Sequence, residues 1–150
     1  MSRPVLIAID ASPACAHLLD LARRYCRPDQ HQLHVLLAID ATYAVHSKPA
    51  AYTEGEQQEY PAACEEQHLA ERAVNDAVTA LRQSGFVCEG SVVAAEPVDA
   101  IVGKAGALDC ELIVMGHRHL SRLGRLLDPS VSAKVIERVG CPVLLAVTSA

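Results

Sequence analysis

Five short apolar runs, separated by longer stretches of helical periodicity, limit what this chain can fold into more than any other feature. They are PVLIAID at 4–10, HVLLAID at 34–40, FVCEGSVV at 86–93, CELIVMG at 110–116 and PVLLAV at 142–147. A strand with one wet face alternates apolar and polar residues, whereas a nearly continuous apolar run has no face to give to water. Four of the five are of that second kind, so they require cover on both sides. Parallel strands joined by helical crossovers receive such cover. The third run is more polar and suits an edge.

The intervening segments supply the helices. Residues 13–26 carry Leu18, Leu21, Ala22 and Tyr25 at spacings of three and four, with Ser12 as N-cap and Pro13 as first helical residue. Residues 62–83 repeat the pattern through Leu69, Ala73, Ala77 and Leu81, and Ser84-Gly85 ends it. A shorter helix from Pro97 presents Val98, Ile101, Val102 and Ala105. The last runs from Pro129, turns Val131, Val135, Ile136 and Val139 inward, and stops at Gly140. The order βαβαβαβαβ predicts an α/β fold: a Rossmann-like, open, doubly wound five-stranded parallel sheet with right-handed crossovers and helices on both faces. Ligands of such sheets sit beyond the carboxyl ends of the strands where the winding reverses, so the loops after the first and fourth strands are the places to search.

Composition narrows the function classes. At 150 residues the expectation is one domain over 1–150, large enough to bury about 68–70% of the surface its unfolded form exposes. Half the residues are apolar, but they are aliphatic, with no Trp and one Phe, which suits a layered core better than an aromatic platform. A formal charge of −5 argues against nucleic acid, whose binding depends on clustered Lys and Arg. The cysteines at 15, 26, 64, 88, 110 and 141 form no CxxC pair, so reduced, mostly buried thiols are expected. The N-terminus has no secretory h-region and no run approaches the roughly 20 apolar residues of a membrane span, which points to the cytoplasm and away from membranes. Residues 41–61 form the one long irregular segment, either a functional loop or a solvated insertion.

Asp10-Ala11-Ser12 follows the first strand. Asp10 either accepts hydrogen bonds from a ligand's base or sugar at the switch point, or supports its own turn beside an ordinary Ser12 cap. Neither GxGxxG nor GxxxxGK[ST] occurs, and no G-x-S-x-G elbow or acid/base pair suggests catalysis. His117-x-His119 and, more weakly, His31-x2-His34 invite a metal reading, but neither has further ligands at zinc-site spacing.

Several stretches together resemble the universal stress protein family. They are VLIAIDAS at 5–12, AEPVDAIVGKAG at 95–106, LIVMG at 112–116, SRL at 121–123 and RLLxxSVSxxVIxxxxCPVLL at 125–145. The resemblance covers essentially the whole chain, is most specific in the C-terminal third, and leaves 41–61 unmatched. It implies a Rossmann-like sheet, commonly a homodimer, and a cytoplasmic role in stress survival rather than a defined reaction. Members divide into ATP binders and non-binders. The binders are similar in a loop G-x2-G-x9-G-[ST] whose amides wrap the phosphates, and in an acidic residue after the first strand. Carried onto this chain, the first glycine is Gly116 and the terminal Ser/Thr is Ser130, but the second glycine position holds His119 and the third Pro129.

Those departures matter physically. His119 brings a Cβ and a ring where glycine would allow positive φ and close approach of backbone to ligand. Pro129 has no N–H to donate. Asp128-Pro129-Ser130-Val131 reads as a self-capped helix start: the Asp128 carboxylate takes the amide of Ser130 or Val131 and sets a negative charge at the dipole's positive end. Arg118, Arg122 and Arg125 pull the other way, since guanidinium groups hold phosphate without backbone help, although three arginines on a loop also suit a solvated face or a partner contact. The expected site is a weak or vestigial nucleotide site of Asp10, Ser12, Met115, Gly116, His119, Ser130 and Val131, with no catalytic residue, metal or cofactor, and ATP or AMP as the alternative. The expected partner is a second copy paired through the C-terminal strand, with other proteins besides.

Overall fold

The computed structural model describes residues 2–10, 14–39, 61–118 and 131–148. The elements in chain order are β1 (Arg3–Ile9), α1 (Cys15–Tyr25), β2 (His31–Ile39), α2 (Pro61–Gln83), β3 (Val87–Ala94), α3 (Pro97–Leu108), β4 (Leu112–Arg118), α4 (Val131–Arg138) and β5 (Val143–Thr148). The strands form one sheet in the order β3-β2-β1-β4-β5, parallel throughout. The more polar β3 is indeed an edge, and β5 is the other. From β1 the chain winds outward through β2 and β3, then returns to the far side of β1 for β4 and β5. The reversal therefore lies between β1 and β4.

Strand alternation divides the core in two. Val5, Ile7, Leu33, Val35, Leu37 and Val114 are buried on the side covered by α1 and α2. Leu6, Leu36, Ile113 and Met115 face the other way, against Val98, Ile101 and Ala105 of α3 and Val135 of α4. The central strands carry apolar residues at successive positions because both of their faces are covered.

Local chemistry sets the helix ends. α2 finishes in a left-handed Gly85 (φ 92°), with Gly85 N–H donating to Arg82 O at 2.9 Å and Phe86 N–H to Leu81 O at 3.2 Å. This is the paired hydrogen-bond pattern of a glycine-terminated helix, and Phe86 and Leu81 are both buried beside it. At the start of α3, the Glu96 carboxylate accepts from Asp99 N–H at 2.9 Å and Pro97 takes the first turn. The α3 terminus repeats the C-terminal pattern with Asp109 in the left-handed region.

Three helix expectations need correction. α1 begins at Cys15, with Ala14 at the N-cap position and no side-chain cap, while the expected Ser12 and Pro13 lie outside the described residues. Its inward residues are Leu18, Leu19 and Ala22; Tyr25, the last helical residue, is 56% exposed. On α2 the buried stripe is Ala70, Val74, Ala77, Val78 and Leu81, which leaves Leu69 on the flank at 50% exposure. On α4, Ser132 and Val135 point inward, and Ile136, one residue further round the helix, is half exposed.

Candidate functional site

The carboxyl ends of β1 and β2 and the first turns of α2 enclose a cleft of about 430 Å³. Its floor is Leu37, Ala38 and Ile39 at the end of β2; one wall is Glu65, Glu66, Leu69 and Ala70 of α2; Asp10, immediately after β1, closes the side. Helical geometry explains the wall. Glu65 and Leu69, and Glu66 and Ala70, are four residues apart and stack on one face, so each carboxylate stands a turn above an apolar side chain. Leu69, displaced from the core stripe, spends its exposed half here.

Among the described residues, three carboxylates and no Lys, Arg or His line this cleft. Asp10 also reaches Cys15 at the start of α1: burial first, and the Asp10 charge second, push the Cys15 thiol upward. Among the described residues no group of three or more His, Cys, Asp and Glu is placed to hold a metal ion. His31 and His34 do not converge, because residues three apart on a strand point to opposite faces. His34 Nε2 meets Ser91 Oγ at 3.0 Å. His31 instead accepts Arg27 N–H on Nδ1 at 2.8 Å and faces Glu111 Oε2 at 3.7 Å, at the opposite end of the sheet from the cleft. His117 is on β4 and His119 lies outside the described residues.

The expected nucleotide-site residues separate. Asp10 is at the cleft. Ala8 pairs with Met115, so Asp10 and Gly116 follow neighbouring positions of β1 and β4 at the winding reversal. Gly116, expected to open a loop, lies within β4, which runs on to Arg118 and pairs Gly116 with Ala146, His117 with Val147 and Arg118 with Thr148. A Cβ built on Gly116 would meet nothing within 4 Å among the described residues, so packing there does not demand a glycine. Met115 is buried in the core on the α3–α4 side, and Val131, the first residue of α4, packs partly buried against that same core. Neither residue lines the cleft on the α2 side. Ser12, His119 and Ser130, with Asp128 and Pro129, lie outside the described residues.

Apart from Asp10, none of the lining residues was expected at a site: Leu37, Ala38 and Ile39 read only as strand, and Glu65, Glu66, Leu69 and Ala70 only as helix. On the helix the only signal was an apolar residue with a carboxylate one turn before it near the start of α2, a pattern common on solvated helices.

Comparison with known proteins gives a consistent picture. The model of the universal stress protein family matches residues 1–146. Universal stress protein Sll1388 of Synechocystis is 30% identical over 146 residues, covering 94% of this chain and 95% of its own. Among solved structures, a universal stress protein of Archaeoglobus fulgidus superposes with a TM-score of 0.69 at 24% identity, covering 97% of this chain and 98% of that one. A universal stress protein family protein of Arabidopsis thaliana, solved with AMP bound, superposes with a TM-score of 0.66 at 16% identity, covering 99% of this chain and 93% of that one. At these identities the solved structures speak for the fold alone.

Proposed function

The chain belongs to the universal stress protein family, and on that premise we propose that it is a stress-response accessory, dimeric and without catalytic turnover, that does not bind ATP tightly. The observation that carries this reading is in the sequence: His119 and Pro129 occupy two positions where ATP binders of the family carry glycine. Pro129 removes an amide outright, and no substitution elsewhere restores a backbone donor at that point. Glu65 and Glu66 on the α2 wall of the cleft support the same reading, because their carboxylates raise the cost of bringing a triphosphate to this end of the sheet. No helix among the described residues is long and apolar enough to cross a membrane, and the five cysteines whose side chains are described are free thiols, which agrees with work in a reducing compartment.

The test is titration of the purified protein with ATP and magnesium by calorimetry, together with mass analysis of any co-purified nucleotide. No saturable binding at micromolar ATP is expected; micromolar affinity overturns the reading. A second reading, an ATP or AMP binder that uses Arg118, Arg122 and Arg125 in place of the glycines, is favoured by the AMP bound to the Arabidopsis neighbour. The double variant His119→Gly with Pro129→Gly separates the two. On the first reading it creates or strengthens ATP binding; on the second, the wild type already binds.

A further inference from the structure

We propose that Ser91 is a nucleophilic serine that accepts an acyl group from a reactive ester, with His34 as the base that takes its proton. The pair lies on the α3 face of the sheet, opposite to α2, and includes none of the residues of the expected nucleotide site.

Sheet geometry brings the two side chains together. In the parallel ladder of β2 and β3, Leu36 pairs with Ser91 and His34 with Glu89. Leu36 packs toward α3, and His34, two residues before it, points to the same face. The imidazole Nε2 stands 3.0 Å from Ser91 Oγ. A serine hydroxyl is a weak nucleophile until a neighbouring base takes its proton, and hydrogen-bond reach between them is the geometry that step needs. Ser84 shows the contrast. Its hydroxyl donates to Ala80 O at 3.2 Å and accepts from Arg23 Nε at 2.9 Å, which commits it to joining α1 and α2.

The surroundings favour the step. Burial first and the Lys104 ammonium second lower the His34 pKa, against a smaller pull from Glu89 of β3, so the ring is neutral and able to accept a proton at pH 7. The same Lys104 charge, reaching the pair from α3, favours the oxyanion that forms on an attacked carbonyl. Ser91, His34 and Val93 are all partly buried, so a small ester reaches the hydroxyl from solvent and finds an apolar neighbour to rest on.

In the step itself, neutral His34 holds its own proton on Nδ1 and accepts the Ser91 proton on Nε2. Ser91 Oγ bonds to the acyl carbon, and the bond from that carbon to the leaving oxygen breaks. The leaving oxygen then takes the proton from His34 Nε2. The products are acyl-Ser91 and a free alcohol or phenol, with His34 restored.

The probe is p-nitrophenyl acetate, applied to the full chain, with p-nitrophenol release and peptide mass mapping as readouts. Acetylation of Ser91 is expected, accompanied by a burst of p-nitrophenol. Its rate should rise with pH along the ionisation of a histidine whose pKa lies below the ordinary value. Ser91→Ala should abolish the burst. His34→Gln, which keeps a hydrogen bond to Ser91 but takes no proton, should acylate at least about tenfold more slowly. Acetyl groups on lysine or cysteine side chains alone, an unmodified Ser91, or an unchanged rate in His34→Gln overturns the proposal. Mapping of the wild-type chain decides the position of the acetyl group even where a variant does not fold. Continued p-nitrophenol release that Ser91→Ala abolishes upholds the nucleophile and overturns only the absence of turnover proposed above.

Discussion

Cys26, Cys88 and Cys110 show how a single buried group carries the fold into the pH dependence of stability. Burial is the leading cause that pushes each thiol up to about 11; the Glu111 carboxylate adds to the effect at Cys26, and the Arg82 guanidinium opposes it at Cys88. His34 moves the other way: burial first and the Lys104 ammonium second lower its pKa, against a smaller pull from Glu89, while its Nε2 is bonded to Ser91. The signs follow from linkage. Above the ordinary thiol value near 9 the unfolded chain releases protons that the folded chain keeps, so stability falls as pH rises from 9 toward 11. Below 6.5 the unfolded chain takes up a proton that folded His34 refuses, so stability also falls with acidification from that point. Urea midpoints measured across pH are expected to be flat between these limits and to decline on both sides. His34→Gln should flatten the acid limb at its upper end, and an unchanged limb would assign it to carboxylates instead.

Among the elements, α2 and β3 meet more closely than any side chain would permit. A Cβ placed on Gly90 would collide with Val74 Cγ1 and come within 2.8 Å of Val78 Cγ2. Both valines belong to the buried stripe of α2, so neither has solvent to move into. Gly90→Ala is expected to destabilise by about 1–3 kcal/mol, the usual cost of overpacking. Chemical denaturation checks it, and Val78→Ala in the same chain should recover part of the loss. Gly116→Ala is the contrasting case. Its Cβ meets nothing among the described residues, so the variant should keep its stability to within about 0.5 kcal/mol, as substitutions outside packed features do. A fall in nucleotide affinity in that variant would then report on ligand approach and not on folding.

For the whole molecule the question is the free edge. Among the described residues β5 pairs only with β4, and Val143, Leu144 and Leu145 are partly buried, so a short apolar strand has one side without a partner strand among them. Such an edge is a liability unless something covers it, and a second copy related by a twofold axis covers both at once. If the proposed dimer forms through β5, Leu144→Lys is expected to give a monomer in sizing by light scattering. Leu144 also packs against the α1–α2 side of the core, so far-UV circular dichroism of the variant must show a folded chain for the result to count. A folded variant that remains dimeric rules out this strand as the interface. The other edge, β3, carries Glu89 and Ser91, whose polarity suits it to water without a partner.

The parallel sheet, the helices on both faces and the edge position of β3 were all legible in the sequence. They follow from local rules: a run without a polar face must be covered twice, and a run with one need not be. Expected strand and helix bounds agree closely where such rules act alone, as at α2, whose end is written in Ser84-Gly85. What only the tertiary structure decided depends on pairs of segments distant in sequence. Gly116 lies inside β4 because β5 extends the ladder, and nothing near Gly116 announces that partner. Leu69 looked like a core residue because its type favours burial, but type does not say which face of α2 the sheet will choose. The cleft exists because the end of β2 and the start of α2 come together across residues 40–60. No periodicity places Glu65 and Glu66 beside Asp10; packing does.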